Sequence, residues 1–131
     1  MGLVLRVAAP LIIRRNGIAE ILLVKEGYMK EWKTPGGNLE RGENWREAAR
    51  REAREEVGLG IEILPYFGHY FLDRPKADVT IHVVSFLARI RSGKLTPHAG
   101  MRDLNWFNLN NLPSGDLAPN ILPGLHYFGL L

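Results

Sequence analysis

The 131-residue chain contains no cysteine. That excludes disulfide frameworks, cysteine–zinc sites, thiol nucleophiles and iron–sulfur clusters. It has no apolar run near the ~20 residues that a membrane-spanning helix needs. The opening Met1-Gly2-Leu3-Val4-Leu5-Arg6 has neither the n-region nor the cleavage pattern of a secretory signal. A cytoplasmic location, with no membrane partner, is the default expectation. Repeats, low-complexity tracts and linkers are also lacking, which leaves one domain over residues 1–131. Lys and Arg number 17 against 14 Asp and Glu, so the excess of positive charge is small and spread along the chain. No basic stripe with interleaved aromatics is visible, so nucleic acid is not the expected partner. What remains is 46% hydrophobic and 24% charged residues, the composition of an ordinary globule with enough chain for a real core.

Residues 3–14 read as an apolar strand interrupted by Pro10, and Asn16-Gly17 is a strong hairpin turn. Residues 18–24 form a second strand, and the glycine- and proline-rich residues 27–38 read as loop. The clearest helix spans 44–57, rich in Ala, Arg and Glu, and it stops at Val57-Gly58. Residues 61–72 read as a strand bent near Pro65 or Gly68, 79–90 as a long strand and 104–107 as a short one. Residues 108–112 suggest a helical turn, and 119–131 a short last helix weakened by Pro123 and Gly124. Several strands around one strong helix indicate an α+β or α/β sandwich.

The chemistry concentrates in Gly36-Gly37-Asn38-Leu39-Glu40-Arg41-Gly42-Glu43 and in Arg51-Glu52-Ala53-Arg54-Glu55-Glu56-Val57-Gly58-Leu59. At ~100° per residue, Glu55 lies about 60° to one side of Glu52 and Glu56 about 40° to the other. Three carboxylates on one narrow stripe repel and weaken a helix unless a cation sits over them. Hard oxygen ligands favour Mg²⁺, Mn²⁺ or Ca²⁺. Ala48, Ala49 and Trp45 share that side, which would turn the stripe inward or into a cleft. The Gly36-Gly37 pair permits positive φ and a tight turn that brings a backbone carbonyl beside the carboxylates. The competing reading is a solvated helix laced with ion pairs, since residues 40–56 hold six acids and five arginines. The glycine turn before the helix and the glycine just past its end argue against it.

The segment resembles the Nudix box, G-x5-E-x7-R-E-U-x-E-E-x-G-U, where U is apolar. Gly37, Glu43, Arg51, Glu52, Glu55, Glu56, Gly58 and Leu59 match its fixed positions, and Ala53 is a smaller residue than usual at the first U. Trp32-Lys33-Thr34-Pro35-Gly36-Gly37 resembles the usual entry to the box. Trp106-Phe107 and Asn111-Leu112-Pro113 resemble the strand and turn near the end of the fold. The resemblance implies an α/β/α sandwich with a mixed sheet and hydrolysis of a nucleoside diphosphate linked to another moiety, using Mg²⁺ or Mn²⁺. It implies Glu52, Glu55 and Glu56 as metal ligands, with the Gly36 carbonyl, and Glu52 as the candidate general base. It implies that Arg51 and Glu43 pair to hold Glu52 in register. Many family members add a glutamate from the loop before the strand that holds Trp106. Residues 95–103 contain none here, and His98 and Asp103 are the candidates to replace it.

Trp32, Arg41 and Gly37 are the first candidates to touch substrate. Tyr28, Phe67, Tyr70 and Phe71 are also able to stack on a base, although aromatics in strands are more often core. The expected substrate is a small nucleotide of the (d)NTP type, as in the MutT-like branch. ADP-ribose, a dinucleoside polyphosphate, or a domain that senses nucleotides without turnover are the alternatives. The resemblance also allows a homodimer.

Overall fold

The computed structural model describes residues 2–113 and 115–131. Six strands form one mixed sheet: β1 (Leu3–Asn16), β2 (Ile18–Glu26), β3 (Gly37–Asn38), β4 (Leu59–Arg74), β5 (Val79–Gly93) and β6 (Met101–Asn108). The helices are α1 (Trp45–Val57) and α2 (Ile121–Tyr127), and Pro75–Ala77 forms a single 3-10 turn. The strand order is β4-β5-β1-β2-β6, with β3 added to β1. The β1–β5 pair is parallel and the other pairs are antiparallel.

Side-chain alternation along β1 and β2 builds a core on each face of the sheet. Ile12, Leu22 and Val24 point one way and pack with Ala53 and Val57 of α1. Leu11, Ile13, Ile21 and Leu23 point the other way and pack with Ile121 and Leu125 of α2. The sheet is therefore covered on both sides, an α/β/α arrangement. Among the described residues, no helix is long and apolar enough to cross a membrane.

Helix α1 starts at a capping box. Asn44 Oδ1 accepts from the Glu47 N–H at 2.8 Å, and Glu47 Oε1 accepts from the Asn44 N–H at 3.0 Å. Such a cap contributes about 1 kcal/mol. The helix ends at Gly58, whose φ of 73° suits glycine. Ala48, Ala49 and Ala53 are fully buried and let α1 lie close on the sheet. This fixes which edge of the helix is left free for Glu52, Glu55 and Glu56.

Three local expectations need adjustment. Pro10 does not interrupt β1, because it lies between the residues that pair with β3 and those that pair with β2, where no bond to either strand is lost. Residues 108–112 are not helical. Asn108 ends β6, its side chain accepts from the Asn110 N–H, and its carbonyl accepts from the Asn111 N–H, which makes a tight turn instead. The glycine-rich loop is partly ordered by pairing: Lys33 bridges Val24, and Gly37 and Asn38 form β3. The bend in β4 falls where its pairing with β5 breaks between Ile63 and Phe67, around Pro65.

Candidate active site

The loop before α1 is pinned to β1. Ala8 pairs with Gly37, Val7 with Asn38, and the Leu39 N–H donates to the Arg6 carbonyl at 3.0 Å. Neither Gly36 nor Gly37 has a positive φ, contrary to the expectation of a left-handed turn. What they provide is space. A Cβ on Gly36 would overlap the Ala8 carbonyl oxygen, and one on Gly37 would lie 2.6 Å from Glu52 Oε1. At Gly36 the backbone of β1 approaches too closely for any side chain, whereas a side chain at Gly37 would push the Glu52 carboxylate from its place.

The three box glutamates divide into two environments. Arg51 gathers the first. Its Nε and Nη2 donate to Glu43 at 2.6 and 3.0 Å, in a two-pronged pair, and Nη2 also donates to the Asn38 carbonyl at 3.0 Å. Its Nη1 donates to Glu52 at 2.9 Å and to Glu55 at 3.1 Å. This pairing holds the Glu43 carboxyl below its ordinary pKa and the Arg51 guanidinium above its own. Glu55 is the outermost of the group, with its side chain 58% exposed.

Glu56 forms the second environment. It is only 8% exposed, and its Oε2 accepts from the Gly36 N–H at 3.0 Å. Burial pushes its pKa up to about 8 against the pull of the Lys33 ammonium, and the nearby Glu26 carboxylate adds to the rise. Glu26 is also partly buried, which alone would raise its pKa. Lys33, a hydrogen bond with Glu56 and His98 outweigh that, so it stays below the ordinary value. Burial therefore favours the protonated form of Glu56 beside the Glu26 carboxylate.

That proton makes stability depend on pH. Unfolded, Glu56 loses it near 4.5; folded, near 8. The contribution is complete below 4.5 and is lost as pH rises towards 8. His82, whose pKa burial depresses, works in the opposite direction but only below its ordinary 6.5. From pH 6.5 to 8 the metal-free protein is therefore expected to lose stability, with a slope of at most about 1.4 kcal/mol per pH unit. Urea midpoints measured across that range check this, and Glu56→Gln should flatten the dependence. A level wild-type profile would contradict it.

Among the described residues, no three histidine, aspartate or glutamate side chains are arranged around one point suited to a metal ion. Glu52 and Glu55 turn to Arg51, while Glu56 turns to Gly36. The donor set nevertheless suits a cation, because one is already there. The Lys33 ammonium lies 3.3 Å from the Gly36 carbonyl, 3.7 Å from Glu56 and 3.8 Å from Glu26. Oxygen donors of this kind are those a hard divalent cation prefers.

On the α2 side of the sheet, a cleft of about 270 Å³ opens beside this loop. Its wall includes Lys33, Gly36 and Gly37, with Tyr70, Leu72 and Asn120 opposite. The NUDIX domain family profile matches residues 4–128. The chain belongs to the Nudix family. It is 33% identical over 89 residues to the oxidized purine nucleoside triphosphate hydrolase of Mus musculus, covering 68% of this chain and 56% of that one. It is 35% identical over 107 residues to the ADP-ribose pyrophosphatase of Methanocaldococcus jannaschii, covering 75% and 62%. It is 34% identical over 84 residues to the NAD-capped RNA hydrolase NudC of Vibrio atlanticus, covering 63% of this chain but 29% of that one. The chain thus spans about a third or less of the NudC proteins it matches. Among solved structures, the Escherichia coli ORF135 protein superposes with a TM-score of 0.74 at 26% identity, over 98% and 90% of the two chains. A MutT Nudix hydrolase from Burkholderia pseudomallei gives 0.77 at 23% identity, over 94% and 96%, a likeness of fold.

The Nudix box therefore runs from β3, through α1, to the start of β4. Of the other candidates, Gly37 lines the cleft, but Trp32 does not. Trp32 packs edge-on against Phe107 in the α2-side core, and its backbone ties residues 116 and 118 to the loop. Arg41 is exposed in an open groove with Leu5, Leu39 and Glu40. Tyr28, Phe67 and Phe71 are exposed rather than core. His98 is placed by its Nδ1, which accepts from the Gly100 N–H, and its Nε2 reaches Glu26 at 3.4 Å. Asp103 instead accepts from the neighbouring Leu104 N–H. Sequence reading missed Glu26, Leu72 and Asn120. They come from β2, β4 and the residue before α2, and no spacing rule links those segments to the box.

Proposed function

We propose that this chain is a divalent-cation-dependent pyrophosphohydrolase that cleaves a phosphoanhydride of a small nucleotide, a (d)NTP-type substrate first. The observation that carries this is the cleft. It is a mostly apolar slot whose wall includes Gly36 and Gly37, the two residues against which Glu56 and Glu52 are packed. Its size suits one nucleoside, with the phosphates directed to the box. The Gly36 carbonyl, Glu52, Glu55 and Glu56 are the residues that would hold Mg²⁺ or Mn²⁺. When bound there, such an ion would supply neutralisation of the anhydride oxygens and a more acidic water.

The chain's own groups do the rest. Glu52 accepts the proton of the attacking water. Arg51, braced by Glu43 and the Asn38 carbonyl, positions Glu52, since a misplacement of about 1 Å costs roughly two orders of magnitude in rate. Tyr70, Leu72 and Val83 exclude water around the nucleoside, and the Asn120 amide offers both a donor and an acceptor to a base edge. The domain acts as a unit, because both cores are built on the one sheet.

A panel of (d)NTPs, ADP-ribose and dinucleoside polyphosphates, assayed with Mg²⁺ and Mn²⁺, tests this. The expected outcome is a nucleoside monophosphate and pyrophosphate from a triphosphate. Preferred formation of AMP and ribose 5-phosphate from ADP-ribose would replace the substrate assignment. Tight nucleotide binding without any turnover would identify a sensor instead.

A further inference from the structure

We infer that Glu26 belongs to the cation site, where with Glu56 and the Gly36 carbonyl it surrounds the position that Lys33 Nζ fills. This rests on the reading of a divalent-cation site given above and adds to it a residue outside the box. Glu26 is the last residue of β2. The ladder with β6 shifts register between Lys25 and Glu26, an irregularity of the kind that re-aims a side chain. The carboxylate is aimed inward. It meets Lys33 at 3.8 Å and His98 Nε2 at 3.4 Å, and Lys33 in turn lies 3.7 Å from Glu56. Because His98 Nδ1 accepts from the Gly100 N–H, Nε2 is the nitrogen that carries hydrogen and donates to Glu26. The His98 N–H in turn donates to the Glu56 carbonyl at 3.0 Å, which ties this loop to the end of α1.

Two acidic side chains and a carbonyl are thus held around one ammonium. Oxygen acceptors gathered in this way under partial burial favour a cation among them. Lys33 is that cation, tethered to the loop itself. A divalent ion entering the same oxygens has to displace it, so Lys33 acts as an internal competitor. Once displaced, its ammonium is released beside the cleft it already lines.

Mn²⁺ binding, followed by loss of the free-ion EPR signal, tests this without reference to turnover. Glu26→Gln, nearly isosteric, is expected to weaken Mn²⁺ binding about tenfold. Lys33→Met is expected to tighten it several-fold and to lower the melting temperature of the metal-free protein while enlarging the upward shift that Mn²⁺ produces. Glu56→Gln is the control for the parent reading. If it binds Mn²⁺ as the wild type does, the cation site itself is misplaced. If Glu56→Gln loses Mn²⁺ while Glu26→Gln binds normally, the role of Glu26 is overturned. Unchanged or weaker Mn²⁺ binding in Lys33→Met would overturn the competition.

Discussion

Glu52→Gln is expected to lower kcat by roughly 10²–10⁴-fold, the range a positioned general base contributes. KM should change little, because the lost interaction belongs to the reaction step. The substitution is a clean one. Glutamine keeps an oxygen for the 2.9 Å hydrogen bond from Arg51 and keeps the shape that packs over Gly37. It loses the ability to take a proton and a charge that would help to hold the divalent cation, a loss that saturating Mg²⁺ offsets. Steady-state kinetics at saturating Mg²⁺, with circular dichroism to show an intact fold, make the measurement. An effect confined to KM would remove Glu52 from the role of base.

Arg51→Ala is expected to harm both rate and stability. The guanidinium satisfies Glu43, Glu52 and Glu55, reaches Glu40 at 3.4 Å, and caps the Asn38 carbonyl. Without it, these carboxylates face one another with nothing between them. Breaking a fully buried pair costs about 3–5 kcal/mol, and this network is partly wet, so about 2 kcal/mol is the expected loss. Turnover should fall by about two orders of magnitude, because Glu52 loses its fixed position. Arg51→Lys restores charge but not the two-pronged geometry, so it should recover more stability than rate. Urea unfolding and kinetics on the two variants separate the effects. Equal recovery of both by lysine would show that charge alone matters.

Much of the scaffold was legible in the sequence because it depends on local rules. Apolar runs marked β1 and β2 as strands, although which residues face α1 and which face α2 became visible only in the packed sheet. Asn44 and Gly58 bounded α1, and the fixed spacing of the box placed its glutamates on one edge of that helix. The reasons for Gly36 and Gly37 were not legible, because they lie in Ala8 and in the Glu52 side chain, contacts made only on folding. Nor was the division between Glu52 and Glu56. Three carboxylates on one stripe look alike on a helical wheel, but one is buried against a loop N–H and the others meet an arginine. The exposed Phe67 and Phe71 escaped strand-based reasoning because what covers a strand's face is the packing of other elements on the sheet, which the strand's own sequence does not show.

The cleft draws its floor and far wall from β4, β5 and the turn into α2, while the hydrolytic groups stand on β3 and α1. If the nucleoside lies in this cleft, most of the groups that would set selectivity stand on stretches of chain apart from α1. Exchanging Tyr70, Leu72 or Asn120 should redirect the enzyme among nucleotides without retuning its chemistry, a division of labour open to both natural drift and deliberate redesign.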